Sequence, residues 1–181
     1  MNTLHFSALS LAFFLGLTGI SQSADTLTKE ETVDITQRIS GPRVYVGIGA
    51  DNLQERRDSS TSLYGAIEGA SEVLHEPLGL RFRIGADVSD VGAWAGLGIS
   101  TEYVFEENPF YIETSFLAGI YEDFDDLDLG HPLEFRSQIA VGYHFENNYD
   151  IAIGLSHKSN AGIGDTNSGA EALYIRLGKG L

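Results

Sequence analysis

Cysteine is absent from this 181-residue chain, and proline and basic residues are scarce. Without cysteine the chain has neither a disulfide framework nor a thiolate that could serve as nucleophile or metal ligand. Its 11 Lys and Arg residues stand against 26 Asp and Glu residues, which gives a net charge of −15. This charge disfavours a nucleic-acid partner, because phosphate binding needs a basic surface. Only 4 prolines accompany 21 glycines, a balance that suits a long-stranded β protein better than a helical or disordered one.

Long apolar runs are also missing, except at the N-terminus. No other window approaches the roughly 18 apolar residues that a transmembrane helix needs. Residues 1–24 contain no Asp, Glu, Lys or Arg, have an apolar centre at 9–17, and permit cleavage after Ser23 or Ala24. This pattern predicts an export signal, with a membrane anchor or a buried strand as the alternative. The polar, acidic stretch 25–41 predicts a leading segment or short helix on the periplasmic side.

From residue 43 onward, apolar and polar residues alternate with period two, the pattern of β-strands. The pattern defines eight segments within residues 42–181, of which the second is the weakest. Bacterial outer-membrane barrels have an even number of antiparallel strands, and each segment is long enough to cross a bilayer. The sequence therefore predicts an all-β, eight-stranded antiparallel transmembrane β-barrel of the outer membrane. The predicted strands are 43–50, 62–73, 77–86, 91–105, 109–122, 132–146, 149–159 and 170–179.

The same alternation also describes a soluble barrel whose apolar face points inward. Two features favour the membrane barrel. Aromatic residues such as Tyr103, Phe105 and Phe110 gather on the apolar face at strand ends, where an interfacial girdle would lie. The opposite face carries charges of both signs, which a narrow lumen holds if they pair.

The predicted connections alternate in length, as they do between the two ends of a membrane barrel. With the N-terminus in the periplasm, the loop that joins the seventh and eighth strands is extracellular. Connection 87–90 is the one exception to the alternation. The short turns lie near 74–76, 106–108 and 147–148, and the longer loops near 51–61, 123–131 and 160–169.

Three polar residues interrupt the apolar faces of the last two strands. His157 and Ser159 end the stripe of the seventh strand, and Glu171 begins that of the eighth. If these strands pair antiparallel, all three side chains lie on the outer face at the extracellular end. Polar groups that face lipid are costly unless they are functional. We therefore predict acyl-ester hydrolysis, in which His157 takes the proton of Ser159 and Glu171 orients the imidazole. The oxyanion donors are expected among Asn160, Gly162 and Asn167.

The stretch His157-Lys-Ser-Asn-Ala-Gly-Ile163, followed by Asn167 and Glu171, resembles the lipid A 3-O-deacylase (PagL) family of outer-membrane barrels. The resemblance implies an eight-stranded barrel that releases the acyl chain at the 3-position of lipid A in the outer leaflet, without a cofactor or metal. It also implies the role of each residue. Ser159 would be the nucleophile, His157 the base, Glu171 the orienting acid, Asn167 and the Gly162 amide the oxyanion hole, and Asn160 the Asn that follows the serine.

Two features depart from the pattern of that family. Thr166 stands where we expect proline, and Leu181 ends the chain where outer-membrane barrels often have an aromatic residue. A non-enzymatic structural or adhesive barrel and a soluble periplasmic lipid-binding barrel remain the alternatives. The sequence does not decide whether a homodimer forms. His75, His131 and His144 are predicted to be structural or exposed, and the acidic run 122–128 to be a solvated loop.

Overall fold

The computed structural model describes residues 39–53, 61–105, 108–124 and 128–181. Within these ranges the chain forms eight antiparallel strands that close into a barrel, because the last strand pairs with the first. The predicted architecture is confirmed, whereas the predicted export signal and most of the leading segment lie outside the described residues. The strands are β1 (Arg43–Asp51), β2 (Ser62–Ala70), β3 (Arg81–Ser89), β4 (Gly92–Val104), β5 (Phe110–Asp123), β6 (Leu133–His144), β7 (Tyr149–Ser159) and β8 (Ala170–Gly180).

The connection between β2 and β3 differs from the prediction. A short turn was expected at 74–76, but the connection runs over 71–80 and contains a 3₁₀ helix, Glu76–Leu78. Pro77 starts this helix, and it has no N–H to donate to a strand ladder. Gly79 then ends the helix in the left-handed region at φ 54°. The third strand therefore begins later than predicted, after this helix.

The two ends of the barrel differ in their connections. We call the end that holds the β7–β8 connection the loop end, and the opposite end the turn end. The predicted contrast between long loops and short turns holds, except that connection 90–91 is short and connection 71–80 is long. The loop end carries 52–61, 90–91, 124–132 and 160–169, and the turn end carries 71–80, 105–109 and 145–148.

The outward side chains of the barrel are apolar along most of its height. In β7, for example, the exposed residues Ile151, Ile153 and Leu155 alternate with buried ones. Such a continuous apolar surface is stable against lipid and not against water, so the soluble alternative with an inward apolar face is wrong. Among the described residues, no helix is long and apolar enough to span a membrane. The side chains that are more than half exposed include Val46, Ile48, Ile67, Ile84, Leu97, Ile120, Ile175 and Leu177.

The lumen is filled by buried ion pairs, as the charged inner face predicted. Arg136 contacts Glu68 at 2.5 Å and Asp87 at 2.6 Å, and Lys158 donates to Asp87 at 2.7 Å. Glu134 is fully buried, but its two carboxyl oxygens make no hydrogen bond within the described part of the chain. Because Lys158 belongs to β7, this network fixes the loop end of that strand from the inside.

Candidate active site

His157 and Glu171 are direct cross-strand partners on the outer face of β7 and β8. The imidazole Nδ1 lies 3.1 Å from the carboxylate Oε1, and the two side chains are 31% and 20% exposed. The alternation of β7 continues from Leu155 to His157, so the imidazole extends the apolar outer stripe. A carboxylate that accepts from Nδ1–H leaves Nε2 as the atom that can accept a proton.

Ser159 is the last residue of β7 and lies on the same outer face as His157. Alternate residues of a strand are about 7 Å apart at Cα, which brings a hydroxyl and an imidazole within reach of each other. The structure describes both residues, and no hydrogen bond joins them. Such bonds are often long without substrate and tighten when it binds. The structure therefore places the three predicted residues on one face and joins two of them directly.

Asn160 turns inward directly after Ser159 and is fully buried. Its Nδ2 donates to the carbonyl oxygens of Leu129 at 3.0 Å and Thr166 at 2.7 Å. Its Oδ1 accepts from the N–H of Gly162 at 2.9 Å. Asn160 was expected among the oxyanion or substrate residues, but its side chain is engaged within the protein. Its position suits a residue that holds the loop in place.

Gly162 and Asn167, the predicted oxyanion donors, differ in whether their N–H groups are free to donate to a substrate. The N–H of Gly162 points to Asn160 Oδ1, so in this conformation it is not directed at a substrate. Asn167 is exposed, and its Oδ1 accepts from the backbone N–H of Asn160 at 3.2 Å. Its Nδ2 makes no hydrogen bond with the residues that the structure describes. Of the two, Asn167 is therefore better placed to donate to an oxyanion.

The β7–β8 loop rests on the neighbouring loop 124–132 through a close backbone contact. A Cβ at Gly130, which has φ 94°, would collide with the carbonyl oxygen of Thr166, and one at Gly164 would collide with that of Gly130. Leu129 anchors this support, because it is 1% exposed and packs into the buried cluster at the loop end. Sequence reasoning missed this support, since contacts between distant loops leave no local pattern.

Gly169 is a second residue that sequence reasoning missed. It has φ 68°, and a Cβ at this position would lie 2.9 Å from the Cε1 atom of His157 and 3.3 Å from the carbonyl oxygen of Lys158. The backbone at Gly169 therefore forms one wall of the space that holds the imidazole. In the sequence, a glycine before a strand signals only a turn.

The remaining histidines have the structural or exposed positions that were predicted. His144 Nε2 lies 3.2 Å from Glu102 Oε1, and His131 Nδ1 accepts from the N–H of Leu133. His75 is exposed beside the 3₁₀ helix. Within the ranges that the structure describes, no three His, Asp or Glu side chains are grouped so that they could hold a metal ion. In the acidic run 122–128, Glu122, Asp123 and Asp128 are exposed, and 125–127 lie outside the described residues.

The chain matches the family described as lipid A 3-O-deacylase (PagL) over residues 44–179. Its fold is similar to the crystal structure of the outer membrane enzyme PagL, with a TM-score of 0.60 and 19% identity over 77% of this chain and 99% of that one. It is also similar to the crystal structure of Neisserial surface protein A (NspA), with a TM-score of 0.51 and 12% identity over 77% and 96%. At these identities the two structures show the fold alone. No curated protein matches the chain.

Proposed function

The chain belongs to the lipid A 3-O-deacylase (PagL) family, and we propose that it is an outer-membrane esterase that hydrolyses the acyl ester at the 3-position of lipid A. The observation that carries the proposal is the 3.1 Å contact between His157 Nδ1 and Glu171 Oε1 on the outer face, two residues from Ser159. An imidazole paired with a carboxylate beside a hydroxyl is the arrangement that activates a serine nucleophile. A barrel that serves only as a scaffold has no need to expose such groups to lipid.

The proposed reaction proceeds in two steps. His157 Nε2 accepts the proton of Ser159 as Oγ attacks the ester carbonyl carbon, while Glu171 stabilises the imidazolium. Asn167 Nδ2 donates to the oxyanion. The sugar 3-oxygen then leaves with the proton from His157, and an acyl-serine remains. Water attacks that ester as His157 accepts its proton, the bond between the acyl carbon and Ser159 Oγ breaks as His157 returns the proton to Oγ, and the fatty acid is released.

The site lies on the outer face of the barrel, where a lipid substrate would reach it from the membrane. The loop end carries most of the long connections, as the extracellular end of such barrels does. Residues Arg136, Glu68 and Asp87 fill the lumen with buried ion pairs, so access through the barrel interior is blocked. Lipid A resides in the outer leaflet and would approach the outward site by lateral diffusion.

Mass spectrometry of lipid A tests the proposal. Cells that carry the folded barrel in their outer membrane are expected to contain lipid A that lacks one ester-linked hydroxyacyl chain, whereas cells with an empty vector retain it. Folding is checked by the difference in electrophoretic mobility between unheated and heated protein. Identical lipid A from both cultures, with the barrel folded, would contradict the enzymatic proposal and leave a non-enzymatic surface barrel.

Replacing Gly169 by alanine is expected to lower kcat about tenfold to a hundredfold while the barrel still folds. The new Cβ would lie 2.9 Å from His157 Cε1, so the ring must shift, and small misplacements in an active site are costly. The left-handed backbone at φ 68° adds a destabilisation of about 1–2 kcal/mol. Fatty-acid release from lipid A in detergent micelles measures the effect. Unchanged kcat in a folded Gly169→Ala protein would mean that the ring position is not critical.

A further inference from the structure

Four serine or threonine side chains face outward on the described strands, and they differ in their hydrogen bonding. Thr101 and Thr114 satisfy each other, with 3.1 Å between their hydroxyl oxygens. Ser159 belongs to the proposed site. Ser137, on β6, is half-buried on the outer face, and within the described ranges its hydroxyl makes no hydrogen bond. An unpaired hydroxyl among lipid-facing side chains is costly unless a ligand uses it.

Ser137 lies directly beside the proposed catalytic residues. It is the cross-strand partner of His157, and on its other side it pairs with Phe116 of β5. Since His157 pairs in turn with Glu171, these side chains form one row across β5 to β8. Directly opposed residues on one face have Cβ atoms about 4.5–5.5 Å apart. The Ser137 hydroxyl is therefore next to the imidazole, on the side away from the carboxylate.

An acyl chain whose ester is held at Ser159 must pass this row as it enters the membrane. On the β8 side of His157 lies the Glu171 carboxylate, which an apolar chain avoids. On the β6 side lies Ser137, whose side chain is the smallest of the row, next to the stacked rings of Phe116 and Phe135, whose centroids are 5.6 Å apart. The path over Ser137 is therefore the favourable one.

Further toward the turn end, this path continues over an apolar surface. Ile139 of β6 and Leu155 of β7 are cross-strand partners in the next outward row after Ser137 and His157. Burial of the acyl chain against these side chains would stabilise the bound ester through the hydrophobic effect. On the β6 side of His157, the first polar group that the chain meets beyond the nucleophile is thus the hydroxyl of Ser137.

We propose that the Ser137 hydroxyl binds the 3-hydroxyl group of the acyl chain and selects 3-hydroxyacyl esters over unsubstituted ones. The inference rests on the proposed function and names a specificity-determining residue of the same site. Ser137 and Ser159 are diagonal neighbours on adjacent strands, and such residues are about 7–8 Å apart. That spacing accommodates an ester carbon at one residue and a hydroxyl on the second carbon beyond it at the other.

A matched pair of variants tests this role, because valine and threonine have the same shape and differ in the hydroxyl. The probes are two detergent-solubilised 3-O-acyl glucosamine 1-phosphates with chains of equal length, one with a 3-hydroxyl and one without. The wild type is expected to prefer the hydroxylated ester by about fivefold to tenfold in kcat/KM, the usual effect of one neutral hydrogen bond. Ser137→Val should reduce the ratio to about one, and Ser137→Thr should retain the preference.

Thr101→Val serves as the control, since it removes an outward hydroxyl that lies on β4, two strands away from Ser137, and that is bonded to Thr114; it should keep the wild-type ratio. A wild-type ratio near one, or a ratio unchanged in Ser137→Val, would overturn the assignment. If folded Ser137→Val hydrolysed neither ester, the assignment would also be overturned, because Ser137 would then belong to the catalytic machinery. Wild-type protein that cleaves neither ester would refute the proposed function itself, and the inference with it.

Discussion

Ser159→Ala is expected to abolish deacylation while the barrel still folds. Without the hydroxyl there is no nucleophile for the ester carbonyl, and loss of the nucleophile in a serine hydrolase costs about 10⁶-fold in kcat. Ser159 is half-buried at the end of β7 and lies on the outer face. Substitution there should change the free energy of unfolding by no more than about 0.5 kcal/mol. Release of fatty acid from purified lipid A measures the activity, and the mobility shift on heating measures folding.

Ser156→Ala is the matched control for this prediction. Ser156 lies on the same strand but points into the lumen, is 4% exposed, and its hydroxyl has no hydrogen-bond partner among the described residues. Its removal should therefore cost little stability and leave deacylation intact. If Ser156→Ala were inactive and Ser159→Ala active, the nucleophile would lie on the inner face, and the proposed mechanism would be wrong.

The two faces of β7 thus lie in different environments. Side chains of β7 alternate, so Lys158 enters the buried ion network while His157 and Ser159 on either side of it face outward. The lumen contacts hold the strand that presents the site. Buried ion pairs seldom add much net stability, but separation of the partners leaves uncompensated buried charges, so the paired groups stay together. We infer that the charged lumen serves the geometry of the outer face.

The side chains of β7 and β8 that face outward could be predicted from the sequence, because the side-chain period of a strand is two. Once His157 follows Leu155 at that spacing, its face is determined. The pairing with Glu171 followed from the assumption that consecutive strands are neighbours, which the register confirms. For the same reason the alternation placed the charged residues of β3, β5 and β6 on the face opposite the apolar stripe. That this face is the lumen follows from the outward apolar surface of the structure.

The start of β3 and the structure of the loop could not be predicted in the same way. Pro77 and Gly79 shift the strand start by local backbone preferences that the alternation does not record. The hydrogen bonds of Asn160 reach Leu129, whose position depends on how two distant loops pack. The contact of Gly169 with His157 is likewise visible only in three dimensions. Periodic strands are therefore predictable, whereas the loop that completes the site is not.

His157→Ala is expected to lower kcat more than Glu171→Ala does. His157 is the group that takes the proton from Ser159, so its loss should cost about 10⁶-fold, as loss of the nucleophile does. Glu171 Oε1 lies 3.1 Å from Nδ1 of the imidazole, and in the proposed mechanism the carboxylate acts through that ring. Removal of an orienting carboxylate leaves the base in place and costs about 10⁴-fold.

The double variant tests whether Glu171 and His157 act through each other or independently. If Glu171 acts through His157, adding Glu171→Ala to His157→Ala should produce no further loss in single-turnover deacylation of lipid A. An independent role of the carboxylate, such as direct contact with the sugar, would instead make the two losses multiply. If Glu171→Ala alone were the more damaging change, the carboxylate rather than the imidazole would be the base that activates Ser159.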